Sequence, residues 1–169
     1  MRERLLRDQR GVAAIEFGIL APIFFLMLLA LIDLSIYFAT NSIVHDAMET
    51  AARAVRVGRL QSGSTANDFR TVLCQRLFFV SCGNFTFSVK PTANLAAPGL
   101  RTPGFDTSGH LVDQTYSPGN ADDIVVVTIA YVHTFIVPYI GLLFGDSGLS
   151  DPHLRTIVAF VVVKNEPYQ

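Results

Sequence analysis

Tryptophan is absent from this 169-residue chain, and cysteine, histidine and charged side chains are all scarce. The four histidines form no pair at metal-ligand spacing, and neither of the two cysteines has a histidine at such a spacing, so the sequence predicts no metal site. A formal net charge of −1 leaves no concentrated basic surface of the kind that nucleic-acid binding requires. Metal, cofactor and nucleic-acid chemistry are therefore not expected.

The sequence also lacks a recognisable catalytic constellation. The segment GDSG at residues 145–148 has the letters of a protease nucleophile region, but Leu149 stands where the trypsin-like enzymes have a second glycine. Such a serine also needs a histidine base and a buried aspartate around it, on a fold far richer in strands than this one. No glycine-rich phosphate-binding loop is present. We expect a turn at GDSG, no enzyme activity and no small-molecule substrate.

Charge is missing altogether from one long stretch, Phe17–Ile32. Extended back to Val12, this apolar run has about the 20 residues that a helix needs to cross the ~30 Å hydrocarbon core of a bilayer. A buried core helix is one alternative, but a small domain rarely covers such a helix on every side. A secretory signal peptide is another, but its apolar core is usually shorter and no small-x-small cleavage site follows this run. The sequence predicts one transmembrane helix.

The flanks of this helix predict its orientation. The first ten residues, MRERLLRDQR, contain four arginines and two acidic residues, and basic residues beside a span hold that end in the cytoplasm. Subtracting this leader from the totals of 13 basic and 14 acidic residues leaves 9 and 12, so the remainder is mildly acidic. We expect a basic cytoplasmic leader at residues 1–11, a transmembrane helix at 12–39 and an extracytoplasmic domain at 40–169.

Helical periodicity continues beyond the span. Apolar residues recur on one face and charged residues occupy the other, and Gly58 is a plausible C-terminal stop. One helix from about Val12 to Val57 would be roughly 70 Å long. The predicted apolar stripe consists of Val44, Ala47, Met48, Ala51, Ala54 and Val55.

The remaining elements predict an α+β fold. Thr65 and Asp68 form a candidate capping box for a short second helix that ends near Phe79. Residues 91–121 are rich in proline and glycine and predict a long loop, and residues 138–153 predict a connection with an apolar middle. The stripe of the long helix is expected to cover one face of a small antiparallel sheet. Its strands are predicted at Phe85–Lys90, Ile124–Val137 and Leu154–Lys164.

The two cysteines, Cys74 and Cys82, have seven residues between them and flank the predicted end of the second helix. In an oxidising compartment such a pair can close a short loop. The sequence favours a disulfide, with two buried thiols as the alternative.

The start of the apolar run, Gly11-Val12-Ala13-Ala14-Ile15-Glu16-Phe17, places a carboxylate inside a predicted span. This motif resembles a type IV prepilin processing site, at which a membrane peptidase cuts after the glycine. Cleavage between Gly11 and Val12 would free a largely cationic α-amino group and make Glu16 the fifth residue, followed by Phe17. A carboxylate in lipid is costly, and an opposite charge from a neighbouring subunit lowers that cost. The alternative is that Glu16 reaches the inner interface by itself.

A second resemblance narrows the family. RGVAAIEFGILAPIFFLMLLALIDL, with its early Pro22, resembles the start of the TadE/TadG-like pseudopilins, which are minor pilins of the Tad/Flp tight-adherence pilus. AARAVRVG at residues 51–58 is similar to that family's helix after the membrane, and VVVKNEPY at 161–168 to its closing strand and tail. The resemblance implies a pilin-like form of the α+β fold, a kink at Pro22 and no cofactor. It also implies a prepilin peptidase, other pilin-like subunits and the Tad assembly platform as partners.

The sequence thus predicts a pseudopilin in the bacterial inner membrane, with its N-terminus in the cytoplasm and its domain in the periplasm. The resemblance leaves open whether the helix is cleaved or kept as an anchor, and whether the protein enters the pilus. A single-pass, membrane-anchored binding or sensor domain without a pilus role is the alternative. A sensor would be expected to carry a cytoplasmic output domain, for which a ten-residue leader leaves no room.

Overall fold

The structure is a computed structural model that describes residues 11–60, 63–75, 77, 79–93 and 103–167. It contains a long N-terminal helix, a short second helix and a small antiparallel sheet, so the predicted α+β fold is confirmed. Residues 1–10 of the predicted leader lie outside the described residues, as do residues 94–102 of the predicted loop and Tyr168 of the closing motif.

The long helix, α1, runs from Val12 to Arg56, close to the predicted bounds. Pro22 lies inside it, where the ring removes one backbone donor; the kink there stays a prediction. The helix ends as predicted, because Gly58 adopts a φ of 74°, a left-handed conformation that glycine reaches without steric cost. The amide of Leu60 then donates to the carbonyl of Ala54 at 3.2 Å and turns the chain back.

The second helix, α2, spans Ala66–Cys74 and begins with the predicted capping box. The Thr65 hydroxyl accepts from the Asp68 amide at 3.3 Å, and the Asp68 carboxylate accepts from the Thr65 amide at 2.7 Å. The prediction that this helix continues to Phe79 was wrong. The chain turns back so that Cys82 can reach Cys74, and Phe79 lies in that turn with a φ of 66°.

The sheet has three antiparallel strands in the order β1-β2-β3, namely Phe85–Pro91, Ile124–Thr134 and Leu154–Lys164. Val127 in the centre of β2 lies opposite Val89 on one side and Val161 on the other. Alternate residues therefore share a face, and the odd-numbered positions of all three strands point to the core. The predicted bounds of β3 are confirmed.

The core lies between this sheet and the second half of α1. All six residues of the predicted helical stripe are buried there, so the prediction that the stripe covers the sheet is confirmed. From the sheet the core receives Phe85, Phe87, Val89, Val125, Val127, Ile129, Tyr131, Ile157 and Ala159.

The long loop was correctly predicted for the residues that the structure describes. It passes along the free edge of β1, where the Val89 amide donates to the Thr115 carbonyl and the Ser117 amide donates to the Val89 carbonyl, each at 2.8 Å. Leu111 is buried beside the Thr86 hydroxyl, which accepts its amide. The loop therefore protects an edge strand that would otherwise present unpaired backbone groups.

The prediction that β2 continues to Val137 was wrong, because the strand ends at Thr134. The amides of Ile136 and Val137 donate to a carboxylate on α1, Asp33, instead of to a neighbouring strand. A short helix, α3, follows at Pro138–Phe144 and forms the apolar middle of the predicted connection. This change of partner positions α3 beside α1.

Candidate functional site

The predicted processing motif forms the exposed beginning of α1. Gly11 is the N-cap residue and Val12 the first helical residue, so the Gly11–Val12 peptide bond lies at the helix start. Val12 is 50% exposed and Phe17 70% exposed, and Glu16 is exposed as well. Because Val12 and Glu16 are four residues apart, they lie on the same face of the helix. The motif is therefore accessible to a partner along its whole length.

The first half of α1 exposes far more apolar surface than a water-soluble protein tolerates. Within the described residues, α1 is the one helix that is long and apolar enough to cross a membrane, judged by length and composition. Of the 18 consecutive residues that are most apolar in this helix, 6% are buried inside the protein. The length and composition of this exposed segment suggest a single-pass membrane anchor.

The hydroxyl groups beyond Ile32 are satisfied within the helix itself. Ser35 donates to the carbonyl four residues earlier at 2.7 Å, Thr40 does so at 2.8 Å and Ser42 at 3.2 Å. Such bonds allow a hydroxyl to sit in an apolar environment without water. Ile36 and Phe38 in the same region remain 44% and 59% exposed. The apolar surface of α1 thus extends past the uncharged run.

Asp33 joins α1 to the end of the sheet, a role that the sequence analysis missed. Its side chain is buried at 2% exposure, and Oδ2 accepts from the amides of Ile136 at 3.1 Å and Val137 at 2.9 Å. Oδ1 has no hydrogen-bond partner among the described residues. The sequence offered one signal for this role, a single carboxylate directly after the uncharged run of α1. A carboxylate that becomes buried at such a position normally has a specific partner.

Three aromatic rings pack beside this carboxylate. Tyr37 on α1 lies 5.4 Å from His133 and 5.4 Å from Phe135, and the last two rings are 5.0 Å apart, all measured between ring centroids. Burial lowers the pKa of His133, and the charge of Asp33 partly opposes this shift. Nε2 of His133 is buried and has no hydrogen-bond partner in the part of the chain that the structure describes. The junction between α1 and β2 is thus a packed aromatic cluster beside one buried carboxylate.

The segment after β3 fastens the opposite end of α1. The Asn165 side chain is buried, and its amide donates at 2.9 Å to the carbonyls of Pro118 and Asn120 in the long loop. The Glu166 amide donates to the Arg56 carbonyl at 2.9 Å, and the two side chains form an ion pair at 3.3 Å. Two residues of the Asn-Glu-Pro segment therefore hold both the loop and the helix end.

The structure pairs Cys74 with Cys82 in a disulfide whose Cα atoms are 5.8 Å apart. This bond ties the end of α2 to the short 3-10 turn Cys82–Asn84, which leads directly into β1. It therefore fixes the second helix relative to the sheet.

Asp146 of the GDSG segment binds the beginning of β3. Asp146 accepts from the Thr156 amide at 2.9 Å and lies 3.6 Å from the Arg155 guanidinium, and its own amide donates to the Leu154 carbonyl. These bonds connect α3 to the start of β3. Among the described residues, no group of three or more His, Cys, Asp or Glu side chains could hold a metal ion.

A known family shares one part of this chain, the long helix α1. This helix begins directly after a glycine, has an exposed carboxylate at its fifth residue and buries its amphipathic second half. Residues 11–53 match the family of TadE-like proteins. This match confirms the resemblance drawn from the same residues. The TadE-like segment contains the processing motif, the apolar run and most of the buried stripe, whereas α2, the sheet and the Asn-Glu-Pro segment lie outside it. No curated protein and no solved structure matches the chain. The TadE-like family is structural and non-enzymatic, and it indicates a function related to the Tad pilus.

Proposed function

We propose that this protein is a TadE-like pseudopilin, or minor pilin, that takes part in assembly of a Tad pilus for surface adherence. One observation carries the proposal: an accessible glycine, an accessible carboxylate five residues later and a long apolar surface occur together at the start of the TadE-like segment. Such a helix can anchor the subunit in a bilayer and can later pack against the helices of other subunits.

In this proposal, a prepilin peptidase cuts the Gly11–Val12 bond in the bacterial inner membrane. The leader faces the cytoplasm, α1 spans the membrane over residues 12–39, and the α+β domain lies in the periplasm. The new α-amino group of Val12 in one subunit meets Glu16 of another. No lysine, arginine or histidine occurs from Gly11 to Val44, so α1 itself offers Glu16 no cationic side chain in this region. A partner amine would supply the missing charge, and the Tad assembly platform would receive the subunit.

Cleavage is tested by N-terminal sequencing of the protein isolated from membranes. The proposal predicts a chain that begins at Val12, and a chain that begins at Met1 or Arg2 contradicts it. Gly11→Val is expected to block cleavage, with Gly18→Val as a matched control. A Cβ added at either glycine has no atom of the described residues within 4 Å, so we expect neither substitution to disturb the packing of that part of the protein. Equal processing of both variants would show that Gly11 is not recognised.

Assembly is tested by Glu16→Gln, which keeps the size of the side chain and removes its charge. We expect loss of pili and of cross-linking to other pilin-like subunits, with membrane insertion retained. Glu49→Gln is the control, because Glu49 lies on the exposed face of the second half of the same helix. Normal piliation of the Glu16→Gln strain would refute the assembly role and leave a membrane-anchored domain.

A further inference from the structure

The short helix α3 presents an apolar surface to its surroundings. Leu142 is 63% exposed and Leu143 75% exposed, and the neighbouring Ile136 is 77% exposed. Tyr139 is 62% and Phe144 45% exposed. No charged residue occurs from Phe135 to Gly145. A contiguous apolar patch of this kind on an exported domain marks a surface that contacts something other than water.

Two glycines fix which side of α3 faces outward. A Cβ at Gly141 would overlap the ring of His153 and lie 2.9 Å from its Cα atom. A Cβ at Gly145 would overlap the carbonyl of Pro152. The glycine side of α3 therefore lies directly against residues 152–153 and cannot be rolled outward. The leucines on the other side remain available to a partner.

The position of α3 indicates which partner this is. Asp33 holds the amides of Ile136 and Val137, so α3 begins at the level where the uncharged run of α1 ends. At that level α1 still exposes Ile36 and Phe38. The exposed apolar residues of α1 and α3 thus lie at the same level along the axis of α1, which is the level that the edge of a bilayer around the first half of α1 would reach.

The polar groups around α3 are also arranged for this position. Arg155 donates to the Phe144 carbonyl at 2.7 Å and lies 3.6 Å from the Asp146 carboxylate, so the last turn of α3 has both a hydrogen-bond donor and a neutralised charge beside it. The exposed Tyr139 is an aromatic residue of the type that is enriched at membrane–water interfaces.

We propose that α3 is a second membrane contact, which lies in the lipid interface beside α1 and fixes the tilt and rotation of the domain above the bilayer. The partner is the phospholipid bilayer itself, through its upper acyl chains and headgroups. The proposal rests on membrane insertion of α1 but not on the role of the protein in pilus assembly. A protein that contacts the bilayer through both α1 and α3 presents its sheet domain in one orientation. A protein held by α1 alone leaves the sheet domain free to rotate relative to the bilayer.

The absence of tryptophan from the chain provides a direct test. Leu143→Trp introduces a single tryptophan, which can be excited selectively at 'red-edge' wavelengths where tyrosine does not absorb, at a residue that is 75% exposed, so the fold is not disturbed. Full-length protein is reconstituted into phosphatidylcholine–phosphatidylglycerol vesicles with and without bromine on the acyl chains, which quenches tryptophan on contact. Leu29→Trp in the span is the positive control. Phe160→Trp is the aqueous control, because Phe160 is 59% exposed and lies about 20 Å along β3 from the strand end near α3.

We expect brominated lipid to lower the emission of Leu143→Trp about twofold or more, as for a ring some 5–10 Å inside the headgroup boundary. Its emission should be blue-shifted relative to that of Phe160→Trp. The Phe160→Trp emission should be quenched by acrylamide, a water-soluble quencher, and not by brominated lipid. Emission of Leu143→Trp that matches Phe160→Trp overturns the proposal. A blue shift without lipid quenching that grows with protein density also overturns it and identifies a second protein copy as the partner. If brominated lipid quenches neither Leu143→Trp nor Leu29→Trp, both the α3 proposal and the membrane span are overturned. If it quenches Leu29→Trp alone, only the α3 proposal is overturned, and the membrane anchor and the pilus proposal stand.

Discussion

Replacing Asp33 by alanine is expected to detach the end of β2 and the start of α3 from α1. The substitution removes two hydrogen bonds, at 2.9 and 3.1 Å, from backbone amides to a carboxylate. Hydrogen bonds to charged groups contribute about 1.5–3 kcal/mol each, and the gain is reduced by the cost of burying the carboxylate. We expect a net loss of about 2–4 kcal/mol in the local opening free energy. Asp33→Asn keeps an acceptor of the same shape without the charge, and should lose about half as much.

Hydrogen–deuterium exchange of the full-length protein in detergent micelles measures this opening directly. At about 1.4 kcal/mol per factor of ten, the amides in residues 135–145 should exchange roughly 30- to 700-fold faster in Asp33→Ala. Asp46→Ala is the matched control, because Asp46 is an exposed aspartate on the same helix. Exchange in β2 and β3 above the junction should change much less than exchange in α3.

The result that refutes this reasoning is unchanged exchange of residues 135–145 in both Asp33 variants. It would mean that the aromatic packing of Tyr37, His133 and Phe135 holds the junction by itself. Equal effects of alanine and asparagine would show that a neutral acceptor does not replace the carboxylate and that its charge is required.

Three further predictions concern other parts of the fold. Because burial holds the pKa of His133 below its ordinary value of 6.5, the unfolded state binds more protons as the pH falls below that value. The melting temperature should therefore fall as the pH is lowered from 7.5 to 5.5, and His133→Gln should reduce this fall. Circular-dichroism melts that show the same pH dependence for His133→Gln and the wild type would count against the prediction. Replacing Cys74 and Cys82 together by serine should lower the unfolding free energy by about 2–3 kcal/mol, and dithiothreitol should then destabilise only the wild type in denaturant titrations. Asn165→Ala should lower the unfolding free energy by about 1–3 kcal/mol, and Asn165→Asp should lower it more, because a carboxylate would face two carbonyls. Limited proteolysis of the long loop measures this effect, and equal cleavage of both variants and the wild type would contradict the prediction.

Much of the fold was predictable because its signals are local. The periodicity of α1, the glycine that ends it and the capping box of α2 each lie within a few residues of the structure that they produce. β3 matched its predicted bounds because it is flanked by polar and turn residues and is rich in β-branched side chains. The proposed processing motif was also visible in the sequence, and the structure adds that its residues are exposed.

The rest depends on contacts between residues far apart in the chain. Asp33 and the amides that it binds are 103 and 104 residues apart, and no local pattern connects them. The same contact explains the wrong end of β2, since Phe135, Ile136 and Val137 have strong strand propensity but their amides have another acceptor. The role of Asn165 was equally hidden, because its partners are loop carbonyls without a sequence signature.

The ion pair and backbone bond between Arg56 and Glu166 also show that the cover of the α1 stripe comes from late in the chain. The buried stripe needs β3, the most C-terminal of the described strands, as part of its cover. A chain that stops before β3 would therefore leave the stripe open as an apolar groove, although α1 itself would be intact. Burial of the stripe thus depends on the part of the described chain that is translated after both of the other strands.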